Sequence, residues 1–286
     1  MYDTVIQTST YEWVSSKLVE DSWNRYFNGK RIILDDDECK QFLGAYYGQS
    51  YVDKFDYLEK GAHKADLFRY AWLYINGGIY CDIKTVLTRP LTEVFPDDTV
   101  CYFVDTRNPY CEWFEYKRLY NGVIATPPLN PIIYDMLQGA MRYKNTEHYH
   151  TICRDGYRVI SSYIHQTKLP LGRVPSIRRN VPDIHLYYEN IQHICNVLEY
   201  DRAGYCSFIV NENGEPMMKV RDHTYKNITR SERTIATLFW IKNWIVNYFF
   251  TFIVPRFCRC FVNYIYHSYY LCIENSIQTF FLNLKK

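Results

Sequence analysis

Residues 62–87, AHKADLFRYAWLYINGGIYCDIKTVL, constrain the fold more than any other stretch, because they join a helical pattern to a strand through two glycines. Ala65, Leu67, Phe68, Ala71, Trp72, Leu73 and Ile75 recur at helical spacing, which places Asp66 and Arg69 one turn apart on the opposite, polar face. One side of this helix is expected to pack and the other to bind. Asn76-Gly77-Gly78 ends it, since glycine accepts the left-handed backbone that a helix end requires. Ile79-Tyr80-Cys81 then forms a short buried strand, with Asp82 where the strand leaves the sheet. Ligands of open α/β sheets bind at the carboxyl ends of strands, so Asp82 is a site candidate by position.

The flanks continue the alternation. Tyr2 to Thr8 is an expected first strand, a helix begins near Tyr11 and closes at Trp23 to Tyr26, and Arg31 to Leu34 is a second strand. Asp35-Asp36-Asp37-Glu38 opens the next helix, where carboxylates serve as caps rather than as a metal site. The order β, α, β, α is a Rossmann-like half. Gln49 to Lys60 predicts a short helix leading through Gly61, and His63 beyond it is expected to be a solvated or capping residue. After Asp82 the chain runs extended through Thr85-Val86-Leu87 toward Arg89-Pro90-Leu91, and residues 100–104 form another buried strand. Asp105 to Tyr116 is a long polar aromatic loop, expected to act as a lid. Pro131 starts a helix to Met141, a further helix spans Ile152 to Gln166, and loop and strand follow to Leu186. Asn213-Gly214 marks the turn of a hairpin over Ser207 to Val220.

A helix with A-D-x-x-R-Y, a Gly-Gly turn and I-Y-x-D resembles the nucleotide-sugar core of the DXD sugar-binding glycosyltransferases of the family 32 kind. That group includes fungal initiating mannosyltransferases, bacterial capsule and lipopolysaccharide transferases and large-virus homologues; the clostridial glucosylating toxins share a related core. The resemblance implies an α/β, GT-A-type Rossmann-like nucleotide-sugar-binding fold and a retaining hexosyltransferase with a nucleotide-sugar donor and a glycan or glycoconjugate acceptor. It makes Asp66 and Arg69 grips on the donor sugar, and gives Asp82 the donor ribose or a divalent metal, Mn²⁺ or Mg²⁺. Lys84 stands where the family has its second carboxylate; as a cation it cannot ligate such a metal and would instead offset phosphate charge or be structural.

Other echoes of the family extend the site. The opening strand typically ends in I-x-Q-T, as at Gln7-Thr8, which faces Thr8 to the nucleotide; capping of the following helix by Thr8 and Ser9 is the alternative. Tyr120-Asn121-Gly122 matches a short strand whose asparagine contacts donor or acceptor, or is an ordinary turn residue. A late histidine closes over the donor in relatives, which makes His223 a candidate metal ligand beside Asp82; a surface histidine after a strand is the rival reading.

Charge and cysteine usage exclude other classes. A formal net charge of +2 with no basic run lacks the footprint of a nucleic-acid binder. The ten cysteines include no CxxC pair, which argues for reduced thiols in a cytosolic protein. The N-terminus shows no secretory signal. Composition shifts near Thr234, dividing a catalytic domain, 1–233, from an aromatic-rich helical tail, 234–286. Within it Thr237 to Val254 approaches membrane-spanning length but is interrupted by Lys242, Asn243 and Asn247. A core-completing or membrane-interfacial role is therefore expected ahead of a spanning one, with peripheral membrane association the consequence of the second. Two rival functions stand beside the transferase: a catalytically idle sugar-nucleotide or glycan binder, and a membrane-docked scaffold.

Overall fold

The structure, a computed structural model, describes residues 2–9, 17–106, 117–192 and 206–221. The expected alternation is present. Strand β1 (Thr4–Thr8) leads to helix α1 (Lys17–Tyr26) and strand β2 (Lys30–Leu34), then to α2 (Asp36–Tyr47), α3 (Gln49–Tyr57) and α4 (Gly61–Asn76). The central helix α4 delivers β3 (Gly78–Cys81), followed by the short β4 (Val86–Leu87) and α5 (Leu91–Val94). The rest comprises β5 (Cys101–Thr106), β6 (Val123–Thr126), α6 (Pro131–Arg142), α7 (Thr151–Ile164), β7 (Gly172–Val174), β8 (Ile184–Gln192), β9 (Cys206–Val210) and β10 (Pro216–Arg221).

β1 pairs in parallel with β2 on one side and with β3 on the other. Right-handed crossovers then put α1 on one face and α2 to α4 on the opposite one. The two apolar layers agree: Val19 and Trp23 of α1 pack with Val5, Ile79 and Cys81, whereas Leu67, Phe68 and Ala71 of α4 pack with Ile6, Tyr80, Phe103 and the inner sides of α6 and α7. The carboxyl ends of β1 and β3 therefore flank a point where the chain departs in opposite directions, the place in such sheets where ligands settle.

Local chemistry sets the ends of the elements. Asp35 accepts from the amides of Asp37 and Glu38 at 2.9 Å while Glu38 accepts from the Asp35 amide, so the acidic run is a capping box as expected. Gly77 (φ +64°) and Gly78 (φ +94°) end α4, and a Cβ on Gly77 would stand 2.6 Å from the Pro128 nitrogen. Here glycine is required both by conformation and by the close approach of the chain before α6. Asn130 caps α6 by accepting from the Ile132 amide at 3.0 Å, and Asn213-Gly214 lies in the turn between β9 and β10. Past the short extended run of β4, Pro90 stands immediately before α5, where its fixed φ suits the approach to a helix start.

The sheet runs β2-β1-β3-β6-β5-β8-β9-β10-β4, with β7 beside β8. β3 and β4 are separated by only Asp82 to Thr85, so their ends can be at most about 18 Å apart. Six strand spacings laid flat would put them about 29 Å apart. The sheet must curl, and the turn carrying Asp82 is the short tie across the curl. The second sheet partner of that tie, β10, meets β4 through the Met218–Leu87 and Lys219–Val86 pairs.

Candidate functional site

The β3–β4 connection is a tight turn in which the Thr85 amide donates to the Asp82 carbonyl at 2.9 Å. Ile83 and Lys84 occupy its two corners, so Lys84 stands two residues past Asp82 at the mouth of the turn. Three further bonds fix the turn from beneath. The Asp82 amide donates to Gly122 O at 2.8 Å, prolonging the antiparallel β3–β6 ladder by one step. The fully buried Gln7 donates from Nε2 to the carbonyls of Cys81 and Asp82 at 3.3 and 3.2 Å. Arg31 orients that amide by donating from Nε to Gln7 Oε1 at 2.6 Å, and its guanidinium lies 4.7 Å from the Trp23 ring centroid.

The Asp82 carboxylate is held by two phenols: Tyr80 donates to Oδ1 at 3.2 Å and Tyr120 to Oδ2 at 3.3 Å. Thr8 meets the Tyr80 hydroxyl at 3.2 Å, so Thr8 stands at the end of β1 beside the carboxylate of the neighbouring strand. Gly122 leaves room for this arrangement, since a Cβ there would be 2.6 Å from Asp82 Oδ2 and closer still to the Tyr120 hydroxyl.

Behind Asp82 lies a buried charge group. Arg69 donates from Nε to Ala65 O at 3.0 Å and from Nη1 to Asn121 O; its Nη2 is 3.6 Å from Asp82 Oδ1, and Nε is 3.6 Å from Asp66 Oδ1. The guanidinium lies 4.1 Å from the Tyr80 ring centroid. Asn121 donates from Nδ2 to Asp66 Oδ1 at 3.2 Å, and its own Oδ1 is buried without a hydrogen-bond partner. Burial raises the Asp66 pKa above the usual carboxylate range; Arg69, the Asn121 bond and His63 oppose it without cancelling it.

These contacts correct the expectation of an open polar face on α4. The side chains of Asp66 and Arg69 retain only 8% and 5% of their surface, whereas Asp82 retains 27%. A ligand approaching from solvent meets Asp82 first. His63 is a second correction, being buried rather than solvated: its Nε2 meets Tyr149 O at 3.0 Å, and the Tyr143 ring lies 4.5 Å away edge-on. The covering residues are Asn121, just before β6, and Tyr143 and Tyr149, after it, which local periodicity in α4 could not register.

Of the sequence-predicted residues, Asp66, Arg69, Asp82 and Asn121 converge in one network, with Thr8 and Lys84 at its edge; His223 and the tail, 234–286, lie outside the described residues. The supporting Tyr80, Tyr120 and Gln7 carried weaker signals. Tyr80 shares a strand face with Asp82, two residues on, which is the one local pointer among them. As a cation site, the described residues are incomplete. A hard divalent ion takes six or more oxygens; among the described residues no group of three carboxylate, histidine or cysteine side chains is placed to hold one. Asp82 is the single carboxylate of the turn, it adjoins the Arg69 cation, and Lys84 occupies the other family position. No helix among the described residues is long and apolar enough to cross a membrane.

Comparison with known proteins agrees with the family resemblance. A family model described as a glycosyltransferase sugar-binding region containing a DXD motif matches residues 16–101, which include Asp66, Arg69, Asp82 and Lys84. An uncharacterized glycosyltransferase, L373, of Acanthamoeba polyphaga mimivirus is 26% identical over 178 residues, 62% of this chain and 64% of that protein. An initiation-specific alpha-1,6-mannosyltransferase of Candida albicans is 33% identical over 66 residues, 22% of this chain and 17% of the fungal protein. The chain thus spans less than two thirds of the length of either relative. Among solved structures, the PaToxG glycosyltransferase aligns with a TM-score of 0.42 at 16% identity, covering 57% of this chain and 69% of that one.

Proposed function

We propose that the protein is a glycosyltransferase of GT-A type that binds a nucleotide-sugar at the carboxyl ends of β1 and β3 and transfers its hexose to a glycan or glycoconjugate, with retention of configuration. The observation that carries this reading is the convergence on Asp82: a part-exposed carboxylate held by two phenols and backed by a buried Arg69, inside the region that matches sugar-binding domains. In this reading Asp82 binds the donor. Thr8 lines the nucleotide side, and Lys84 at the turn corner offsets charge on the leaving diphosphate. Arg69, enclosed by its protein partners, acts by presenting Asp82 and Asn121, and Asp66 keeps Arg69 and Asn121 in place. Holding the donor rigidly is itself catalytic, because it removes motion that would otherwise be lost on the way to the transition state.

The test is thermal unfolding of the full chain with UDP-, GDP- and dTDP-hexoses, in Mn²⁺ and in EDTA. A ligand that binds the native state alone raises the melting temperature, so no acceptor is needed. A shift with one donor class is expected, and the EDTA arm reports whether a divalent cation takes part in binding. Absence of a shift with every donor would overturn the reading. A second reading, an idle sugar-nucleotide binder, draws support from Lys84 at the second carboxylate position. It predicts the same shift but no release of nucleoside diphosphate from the bound donor, with or without acceptor glycans.

Gly122→Ala supplies a sharper test of the geometry. The backbone of Gly122 is outside the left-handed region, and the crowded atoms are side-chain ends that can move, so the fold should lose only about 1 kcal/mol. The added methyl displaces Asp82 and Tyr120, however, and donor affinity should fall roughly tenfold or more, as loss of a charged hydrogen bond would. Unchanged affinity in a folded variant would show that Asp82 need not sit where the structure has it.

A further inference from the structure

The turn between α6 and α7 brings one residue to the site that neither the motif nor the family match contains. Tyr149 precedes α7 by two residues, and its carbonyl is pinned by the buried His63, one turn before Asp66 on α4. α7 is itself anchored at the site: Cys153 Sγ accepts from Asn121 Nδ2 at 3.5 Å, and Cys153 O accepts from the Leu119 amide at 3.1 Å. Tyr149 is therefore fixed relative to Asp66 and Asn121 by two separate connections. Its ring is not simply core. It rests against His63 at 5.0 Å and His150 at 4.9 Å, with Lys60 Nζ at 4.9 Å from its centroid, yet 38% of the residue stays exposed.

We propose that Tyr149 is a sugar-contacting, specificity-determining residue of this site, its ring packing on the apolar face of the hexose and its hydroxyl donating to a sugar oxygen. The inference rests on the transferase reading above and extends it to a residue outside the matched 16–101 region. Sugars present a polar rim and apolar C–H faces, and a part-exposed tyrosine held from behind meets both at little cost in side-chain freedom. The electrostatics are consistent. Burial raises the Tyr149 hydroxyl above its ordinary value, and the charges of Asp66 and Asp82 push the same way against Arg69, so the group stays protonated and able to donate.

The experiment compares wild type, Tyr149→Phe and Tyr149→Ala in the full chain. Affinities come from melting-temperature titrations with the donor hexose that gives the largest shift and, separately, with its nucleoside diphosphate. Tyr149→Ala should bind the nucleotide-sugar roughly tenfold more weakly, and Tyr149→Phe less severely, while both bind the nucleoside diphosphate as wild type does. Should the alanine variant fail to fold, Tyr149→Phe, which keeps the ring on His63 and Lys60, carries the test through its hydroxyl. Equal losses for nucleotide-sugar and nucleoside diphosphate, or no loss in either variant, would overturn the proposal while leaving the transferase reading intact. No wild-type shift with any donor would overturn both.

Discussion

Asp82→Asn is expected to abolish most of the stabilisation that a nucleotide-sugar confers, with little change in the unliganded melting temperature. At a hundred times the dissociation constant a ligand stabilises by about 2.7 kcal/mol. For a chain of this size that is about 5–10 °C. Losing a charged hydrogen bond of about 2.7 kcal/mol weakens binding about a hundredfold. At the same ligand concentration the stabilisation then drops to about 0.4 kcal/mol, or about 1 °C. Asparagine preserves the shape and an oxygen to accept from Tyr80 at the position now 3.2 Å from its hydroxyl. Differential scanning fluorimetry of both proteins with and without donor decides the matter; a retained 5–10 °C shift would remove Asp82 from the binding site.

Arg69→Leu should instead damage the fold. It leaves the Asp66 carboxylate, 8% exposed, with the Asn121 amide at 3.2 Å as its hydrogen-bond donor among the described residues. Breaking a buried ion pair from one side costs about 3–5 kcal/mol, or about 6–20 °C in melting temperature. The loss has a pH signature. Asp66 already has a raised pKa because burial outweighs the opposing influence of Arg69, and removing Arg69 raises it further. An acid whose folded pKa exceeds its unfolded value binds more protons when folded, so stability falls as pH rises from the unfolded value toward the folded one. The deficit of Arg69→Leu should therefore be smaller near pH 5 than near pH 8, checked by urea denaturation at both. Asp66→Asn combined with Arg69→Leu should flatten that dependence. An equal deficit at the two pH values would mean that Asp66 stays ionised and finds another cation.

What was legible in the chain was local. The α4 helix, its two-glycine end, the strand before Asp82, the Asp35 capping box and the Asn213-Gly214 hairpin each depend on residues within a few positions of one another, and each is where the pattern put it. The character of the α4 polar face was not legible, because its partners are remote: Asn121 reaches Arg69 across 52 residues, and Tyr149 reaches His63 across 86. A helical period says which residues share a face but not what will cover it. For the same reason the hold of Tyr120 on Asp82, from 38 residues away, was not legible, although Tyr120 lies in the motif through which Asn121 beside it was found.

The two-residue strand β4 has a consequence for the timing of assembly. Its ladder partner, β10, lies roughly 130 residues further along the chain. At about 5–20 residues per second, a ribosome delivers that partner on the order of ten seconds after Leu87. Until then the β4 end of the tie that carries Asp82 has no ladder partner in β10 and is held by α1, where Trp23 Nε1 donates to Thr85 O at 2.9 Å and Ser22 Oγ accepts from the Leu87 amide at 3.1 Å. Contacts of such sequence separation also form slowly once both strands exist, because closing the intervening loop costs entropy before any pairing repays it. The motif that identifies the site is thus made early, and the rigid site is made late, by the strand that closes the curl.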